Sequence, residues 1–459
     1  MKTALTCAIS FVISTVLFGA TYTVPDDYVT IQGAINVSDD GDTILVRPGT
    51  YVENIDLQGK LIIVQSLWGP EVTTIDGNRA GNVVTANSGE KTQTVLSGFT
   101  IMNGLGANGS GGIICSNSSP KIENNVITYN QGYGIAGFEC RSQVIGNTFI
   151  LNSSSAVFCT DGSKLNIQDN LFFANTADFG AGILCEDSST SKITNNFFAG
   201  NSAVSGAAIF INTDSTPRIM NNTMSGNYAS ASGGAIVCRS SAPLVRNCVF
   251  WGNDAPQGKE IYVGGTFAAP SVLTIDYSDV EGGQSQVFVE SGHTLDWGAG
   301  MIDQDPLFFA PTYADYHLSF HSPCRDAGTA DQQLPSEDFE DDPRTVNGTI
   351  DMGADEFNVH LYFFGTASPG GTIYMHVVGI PGSKVTGIMG SAIKDPPQGT
   401  NYGWVHMEPP YYFFPLGFMP GDGILPKAVS IPPHWMGDYY FQALTGTTLT
   451  NLLVVRVFP

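Results

Sequence analysis

Six copies of one phrase fill the middle of the chain, each closing on an asparagine three residues after a large apolar side chain. They run Ile122 to Asn130, Val144 to Asn152, Ile167 to Asn175, Ile193 to Asn201, Ile219 to Asn227 and Val245 to Asn253. The closing asparagines lie 22, 23, 26, 26 and 26 residues apart. A period in this range, held over six copies, predicts a stack of similar coils in which each coil buries its apolar face against its neighbours.

Each copy has a second half in register with the first: Gly112 to Cys115, Gly134 to Gly137, Ala156 to Cys159, Gly182 to Cys185, Ala208 to Ile211 and Ala235 to Cys238. Alternation sends Ile113, Ile135, Val157, Ile183, Ile209 and Ile236 to one face, which must be the core. A helical solenoid would need apolar residues three and four apart, with helix formers between them. Here the apolar runs are short and β-branched, and Asn, Gly and Ser break them. The pattern predicts an all-β chain, a right-handed parallel β-helix with strands stacked about 4.8 Å apart. Asn125, Asn147, Asn170, Asn196 and Asn222 are expected to form a ladder at a left-handed turn, and Ile127, Phe149, Phe172, Phe198, Met224 and Phe250 an apolar stack.

The formal charge is −23, yet only 13% of residues are charged. Such a surface disfavours nucleic acid and anionic membrane, and leaves cations, neutral glycans or basic partners. Lys2, the apolar run from Ala4 to Phe18 and the small Gly19 and Ala20 read as a secretory signal over residues 1–20, with Phe18 where a small residue is usual. That run is too short for a membrane anchor, and no other stretch of about 20 apolar residues exists. Of the eight cysteines, Cys115, Cys159, Cys185 and Cys238 share an inward position. Only Cys159 and Cys185 fall on neighbouring coils, where one vertical bridge could form, so most read as small buried apolar residues.

Residues 21–302 are read as the β-helix. A short helical face at Ile31, Ala34 and Ile35 caps its open edge, and coils of 22 to 26 residues allow roughly a dozen turns. Residues 303–357 form an acidic segment, thirteen carboxylates against Arg325 and Arg344, expected to close the far end of the stack. Residues 358–459 are rich in aromatics and Pro-Gly turns and are expected to form a small β-sandwich.

The Phe-x-x-Asn phrases and Gly233-Gly-Ala-Ile236 resemble repeats of secreted bacterial β-helix proteins with a pectate-lyase-like fold, the polymorphic outer-membrane proteins among them. Tyr28-Val-Thr-Ile-Gln32 with Pro48-Gly-Thr-Tyr-Val-Glu-Asn54 resembles the opening coils of pectin methylesterase-like chains. Asp305-Pro-Leu-Phe308, Asp315-Tyr-His-Leu318, Ser322-Pro-Cys-Arg-Asp-Ala-Gly328 and Asp351-Met-Gly-Ala-Asp-Glu356 resemble the choice-of-anchor Q region that ends many such proteins. The resemblance implies the fold and export, and says little of activity, because this fold hosts lyases, esterases, hydrolases, epimerases and adhesins. The esterase motifs, the paired aspartates and Gly-His-Gly of polygalacturonases and the Asp-Pro-His of alginate epimerases are all missing. All seven histidines lie at or beyond His293, so the regular coils carry no imidazole base.

Two columns emerge when the coils are aligned. The first reads Asn117, Glu139, Asp161, Asp187, Thr213 and Ser240. Stacked carboxylates about 4.8 Å apart repel unless protonated or bridged. Glu139, Asp161 and Asp187, with Glu186 beside them, are therefore candidate ligands for calcium or a cation-bridged uronate, the other reading being solvated turn carboxylates. The second column reads Lys121, Gln143, Asn166, Lys192, Arg218 and Leu244. Lys192 or Arg218 could serve a polysaccharide lyase as base or enolate-stabilising cation, or simply line an exposed flank. Tyr411 to Phe414 with Trp404 and Trp435 could stack sugars or pack the terminal module. No catalytic motif is recognised and no cofactor is required. The leading reading is an exported, surface-associated protein that binds extracellular glycan or matrix. The alternatives are a lyase acting on acidic polysaccharide and a structural surface-layer component.

Overall fold

A computed structural model of the chain describes residues 19–358 apart from 267, 312–314 and 347, together with the backbone pairing of strands beyond residue 360. The leader expected over residues 1–20 falls outside the described residues except for Gly19 and Ala20. The side chains of Tyr411 to Phe414, Trp404 and Trp435 also fall outside them.

Three long parallel sheets wind around one core. The first has twelve strands, from Thr21–Val24 to Thr294–Trp297. The second has ten, from Gly49–Val52 to Asp279–Val280, and the third ten, from Ile55–Asp56 to Val287–Val289. A representative coil runs Lys121–Glu123 in the first sheet, Val126–Thr128 in the second and Tyr133–Phe138 in the third. The next coil pairs with it residue for residue, Ile122 on Val144, Ile127 on Phe149 and Ile135 on Val157. The predicted parallel β-helix is the fold.

Alternation builds the core. Ile122, Val144, Ile167, Ile193, Ile219 and Val245 project inward from the first sheet and are buried. From the second sheet come the predicted apolar stack and its flat rings: Phe149 lies 4.8 Å from Phe172, and Phe172 4.6 Å from Phe198, each pair within 3° of parallel. That spacing is the strand repeat itself, so each ring covers the face of the one below. At the N-terminal opening the helix Ile31–Val37 places Ile31, Ala34 and Ile35 in the same core. Thr30 caps it by accepting from Gly33 N, and the Glu53 carboxylate takes the N–H groups of Ile31 and Gln32.

Two asparagine ladders run through the turns. Asn196 shows the unit: its Nδ2 donates to Ile167 O at 3.0 Å, Thr194 O at 2.9 Å and Asn222 Oδ1 at 2.9 Å. Its Oδ1 accepts from Asn170 N at 2.9 Å and Asn170 Nδ2 at 3.0 Å. The closing asparagines, Asn130 to Asn253, make a second ladder of the same kind. One expectation needs correction. The left-handed residue at each turn is the one before the ladder asparagine, namely Asn124, Gly146, Asp169, Asn195 and Asn221. The ladder side chain must point inward to reach the coil above, and it is the preceding residue that reverses the chain.

The seven described cysteines are buried free thiols, and Cys159 and Cys185 face each other with their sulfurs 3.0 Å apart. Cys248 takes the first ladder's position one coil beyond Asn222 and points its thiol at Ile219 O and Arg246 O.

The acidic segment also departs from expectation. Instead of closing the far end of the stack it folds back along the flank, over the outer face of the second sheet and the turn that precedes it. Asn195 Nδ2 donates to Glu337 O, Asn221 Nδ2 to Asp351 O and Asn247 Nδ2 to Thr329 O. Beneath it, Phe197 and Ala199 pack with Tyr316 and Ala354, and Val249 with Leu318, Cys324 and Met352. These outward residues are apolar, and burying them under the segment removes from water a stripe that a regular polar flank would leave exposed. Beyond residue 360 the strands pair antiparallel, the larger group centred on Lys384–Gly390 and Gly437–Thr445.

Candidate functional site

The third sheet carries an unusual outer face. Its central outward positions read Ala136, Phe158, Leu184, Phe210, Val237 and Tyr262 on successive coils, a continuous apolar stripe on the outside of the solenoid. What covers it is a product of the repeat length. From the closing asparagine to the first inward residue of the third sheet, the early coils take five steps, Asn130 to Ile135 and Asn152 to Val157. The later coils take eight or nine, Asn175 to Ile183, Asn201 to Ile209 and Asn227 to Ile236. The additional residues form a three-stranded ribbon, Thr176–Phe179, Ser202–Ser205 and Tyr228–Ser232, seated on a small core of Ala181, Ala203, Ala207 and Ala229.

Where short coils give way to long ones there is a step, and at the step a cleft of ≈ 340 Å³. Its floor and walls are Tyr133, Ser153 to Ser155, Thr176 to Phe179 and Leu184. Two aromatic rings line it, and each rests on a buried ring behind it. Tyr133 stacks on Phe158 at 4.4 Å and 19°, and Phe179, 43% exposed, lies 4.9 Å from Phe210. Rings backed in this way are fixed before a ligand arrives, which lowers the ordering cost of binding. Asp178 and the three serines supply polar groups at the rim. Burial raises the Tyr133 phenol above its ordinary value, and the nearby Glu186 carboxylate adds to this. Tyr133 therefore stays protonated and can donate a hydrogen bond.

Glu186, a residue singled out from sequence, thus lies beside this cleft, and Asn212 Nδ2 donates to its Oε1 at 3.4 Å. Glu139, Asp161 and Asp187 occupy equivalent exposed positions on three successive coils, all with left-handed backbone, φ 49°, 53° and 51°. They share a column as expected, and Asp187 accepts from Thr160 Oγ1 at 3.0 Å. Their oxygens do not gather, however. Among the described residues, the one set of three His, Cys, Asp or Glu whose ligand atoms lie within 4.8 Å of one another is His317, Glu340 and Asp355.

The basic column starts the strands of the first sheet, as expected; Lys121 pairs with Glu123 on its own strand at 2.5 Å, while Arg218, together with Arg246 from outside the column, turns toward the flank segment. Arg218 pairs with Asp331 at 3.1 Å, and Arg246 with Asp331 at 2.9 Å and Asp276 at 2.6 Å. Burial lowers the Lys192 ammonium from its ordinary value, with Asp169 and Asp331 opposing the shift. Asp169 itself is pushed up to about 6 by burial. Among the described residues no ion pair joins Lys192 or Arg218 to Glu139, Asp161 or Asp187.

The right handed beta helix region family matches residues 81–250, the stretch that holds the first ladder, all but the last rung of the second, and the step. Among solved structures the chain is similar to pectate lyase Pel9A, at 14% identity and a TM-score of 0.39, covering 72% of this chain and 91% of that one. It is also similar to the enzymatically active domain of bacteriophage CBA120 tailspike protein 4, at 8% identity and a TM-score of 0.34, covering 90% of this chain and 64% of that one. For tailspike protein 2 of the same phage the values are 13% and 0.27, covering 96% and 71%. No curated protein matches the chain. Among the described residues no helix is long and apolar enough to cross a membrane.

Proposed function

We propose that this is an exported β-helix protein that binds an extracellular glycan at the step on the third-sheet side of the solenoid, with the cleft at Tyr133 and Phe179 as the anchoring subsite. The observation that carries this reading is the pair of backed aromatic rings set in a polar-rimmed cleft. A sugar presents an apolar C–H face and a hydroxyl rim, which is what such a cleft complements. Glu186 and Asp178 would accept hydrogen bonds from hydroxyls there, and Glu139, Asp161 and Asp187 would continue the polar edge along successive coils.

Binding is favoured over cleavage because Arg218 and Asp331 are engaged with each other, and Lys192 has Asp169 and Asp331 for neighbours, so the cations a lyase would use belong to the flank segment. The test is incubation of the purified protein with a panel of neutral and uronate polysaccharides, following retention on the polymer and absorbance of unsaturated product together. Retention without product is expected. Tyr133→Ala should weaken retention about tenfold, the loss of one stacking partner at about 1.4 kcal/mol, with the melting temperature little changed. Product release would turn the reading to a lyase, and retention unaffected by Tyr133→Ala would remove the cleft from it. The open spacing of Glu139, Asp161 and Asp187 predicts calcium-independent retention. A calcium requirement abolished by Asp161→Asn would instead give the column the ion.

A further inference from the structure

Far from the cleft, three stretches of the flank segment converge on one imidazole. His317 comes from the strand Asp315–Leu318, Glu340 from the turn closed by the Glu337–Pro343 bridge, and Asp355 from the stretch that returns to the solenoid. His317 Nε2 lies 2.9 Å from Glu340 Oε1, and one ligand atom from each of the three residues falls within 4.8 Å of the others. The other ring nitrogen, Nδ1, is held by Asp315 Oδ1.

We propose that His317 Nε2, Glu340 and Asp355 bind one first-row divalent cation of the Zn²⁺ type, with Asp315 orienting the imidazole. Zinc takes imidazole nitrogen and carboxylate oxygen ligands at about 2.0 to 2.2 Å, so two donors on one such ion stand about 3 Å apart. A carboxylate on the distal ring nitrogen fixes the tautomer that leaves Nε2 to face the metal, and raises its basicity. Asp355 adds an independent observation. It is 3% exposed, yet its carboxylate takes a single hydrogen bond, from Leu318 N to Oδ2 at 2.7 Å, and Oδ1 accepts none among the described residues. A carboxylate 3% exposed, with one oxygen outside any hydrogen bond, beside a histidine and a second carboxylate is placed to meet a cation. The side chains of His317 and Glu340 remain partly exposed, at 18% and 23%, which gives an ion a way in. A nitrogen ligand and a set of three argue against Ca²⁺, which takes six to eight oxygens.

The ligands come from positions 23 and 15 residues apart, so the ion would staple the flank segment to itself where it lies on the solenoid. The test uses the full chain, stripped with chelator and desalted, titrated with Zn²⁺ by calorimetry and melted with and without the ion. One Zn²⁺ per chain is expected, with a rise in melting temperature that chelator reverses. Glu340→Gln, at a partly exposed position, should lower the affinity at least tenfold and leave the metal-free melting temperature unchanged. Asp315→Asn, which alters only the orienting group, should have a smaller effect in the same direction. Asp161→Asn should have none. Absence of stoichiometric Zn²⁺ binding by the wild type would overturn the site, whatever the variants do. Wild-type affinity in Glu340→Gln would overturn the ligand set, and tighter binding of Ca²⁺ than Zn²⁺ would overturn the ion class.

Discussion

The second asparagine ladder ends on a group of different chemistry. Asn253 Nδ2 donates to Met224 O and, at 2.7 Å, to Glu260 Oε2, while Glu260 Oε1 is buried without a partner. Burial pushes the Glu260 carboxyl up to about 8 from an ordinary 4.5, despite the opposing hydrogen bond from Asn253. A folded-state pKa above the unfolded one means that the native chain holds a proton the unfolded chain gives up. The associated stability is complete below about pH 4.5, and is lost as pH rises through about 8, a swing on the order of 5 kcal/mol. Glu260→Gln keeps an acceptor for Asn253 and cannot ionise. Urea titrations of both proteins at intervals from pH 4 to 9 should show the variant gaining on the wild type as pH rises. A difference that stays flat with pH would mean that Glu260 does not titrate there. Within a ladder the loss is of another kind. Asn196→Ala strips a buried side chain that gives and takes hydrogen bonds on three coils, and should cost about 2 to 4 kcal/mol at any pH, read from the urea midpoint.

At the scale of strands and turns, most of the solenoid was legible because its signals repeat. Inward alternation, the ring stack and the ladder each recur on every coil, so one misread residue does not move the register. The flank and the cleft were missed because their signals are breaks in the repeat. The doublets Asn195-Asn196 and Asn221-Asn222 carry two jobs: the second residue builds the ladder and the first, left-handed and outward, holds the acidic segment. Phe197, Val249 and Trp251 are apolar at outward positions of the second sheet, which marks a covered face. The lengthening of the period from 23 to 26 was visible too, and its meaning needed the third dimension: three more residues per coil make a ribbon, and the first ribbon strand stands above a short coil. That origin is testable by construction. Inserting three residues, such as Thr-Ala-Gly, after Ser154 should extend the ribbon by one coil and fill the step. Glycan retention should then fall as far as in Tyr133→Ala, with the circular dichroism spectrum and melting temperature near those of the parent. Retention equal to the parent's in a folded insertion variant would place the glycan elsewhere.

For the whole molecule, the acidic segment determines which sides of the solenoid remain open to a ligand. It lies over the second sheet and ties down Arg218 and Arg246 of the first through Asp331, while the cleft of the third sheet stays exposed. Its keystone is Arg344, 1% exposed, whose guanidinium donates to Asn195 Oδ1 at 2.9 Å, to Ala354 O at 2.5 Å and to Gly353 O at 3.2 Å. A buried cation is costly unless acceptors meet it; here both terminal nitrogens are met, Nε is not, and the acceptors come from both the segment and the solenoid, so the arrangement forms only when the two are docked. Arg344→Ala removes the bridge and leaves those acceptors facing a cavity. The segment should loosen at a cost of about 3 to 5 kcal/mol, baring Phe197, Val249 and Trp251. Three readouts should move together: binding of a hydrophobic dye rises, proteolysis within 303–357 accelerates, and the solenoid's own far-ultraviolet signal persists to high temperature. Retention of glycan should survive, because the cleft shares no residue with the docked surface. Loss of retention along with the segment would instead mean that the two faces of the solenoid act as one site.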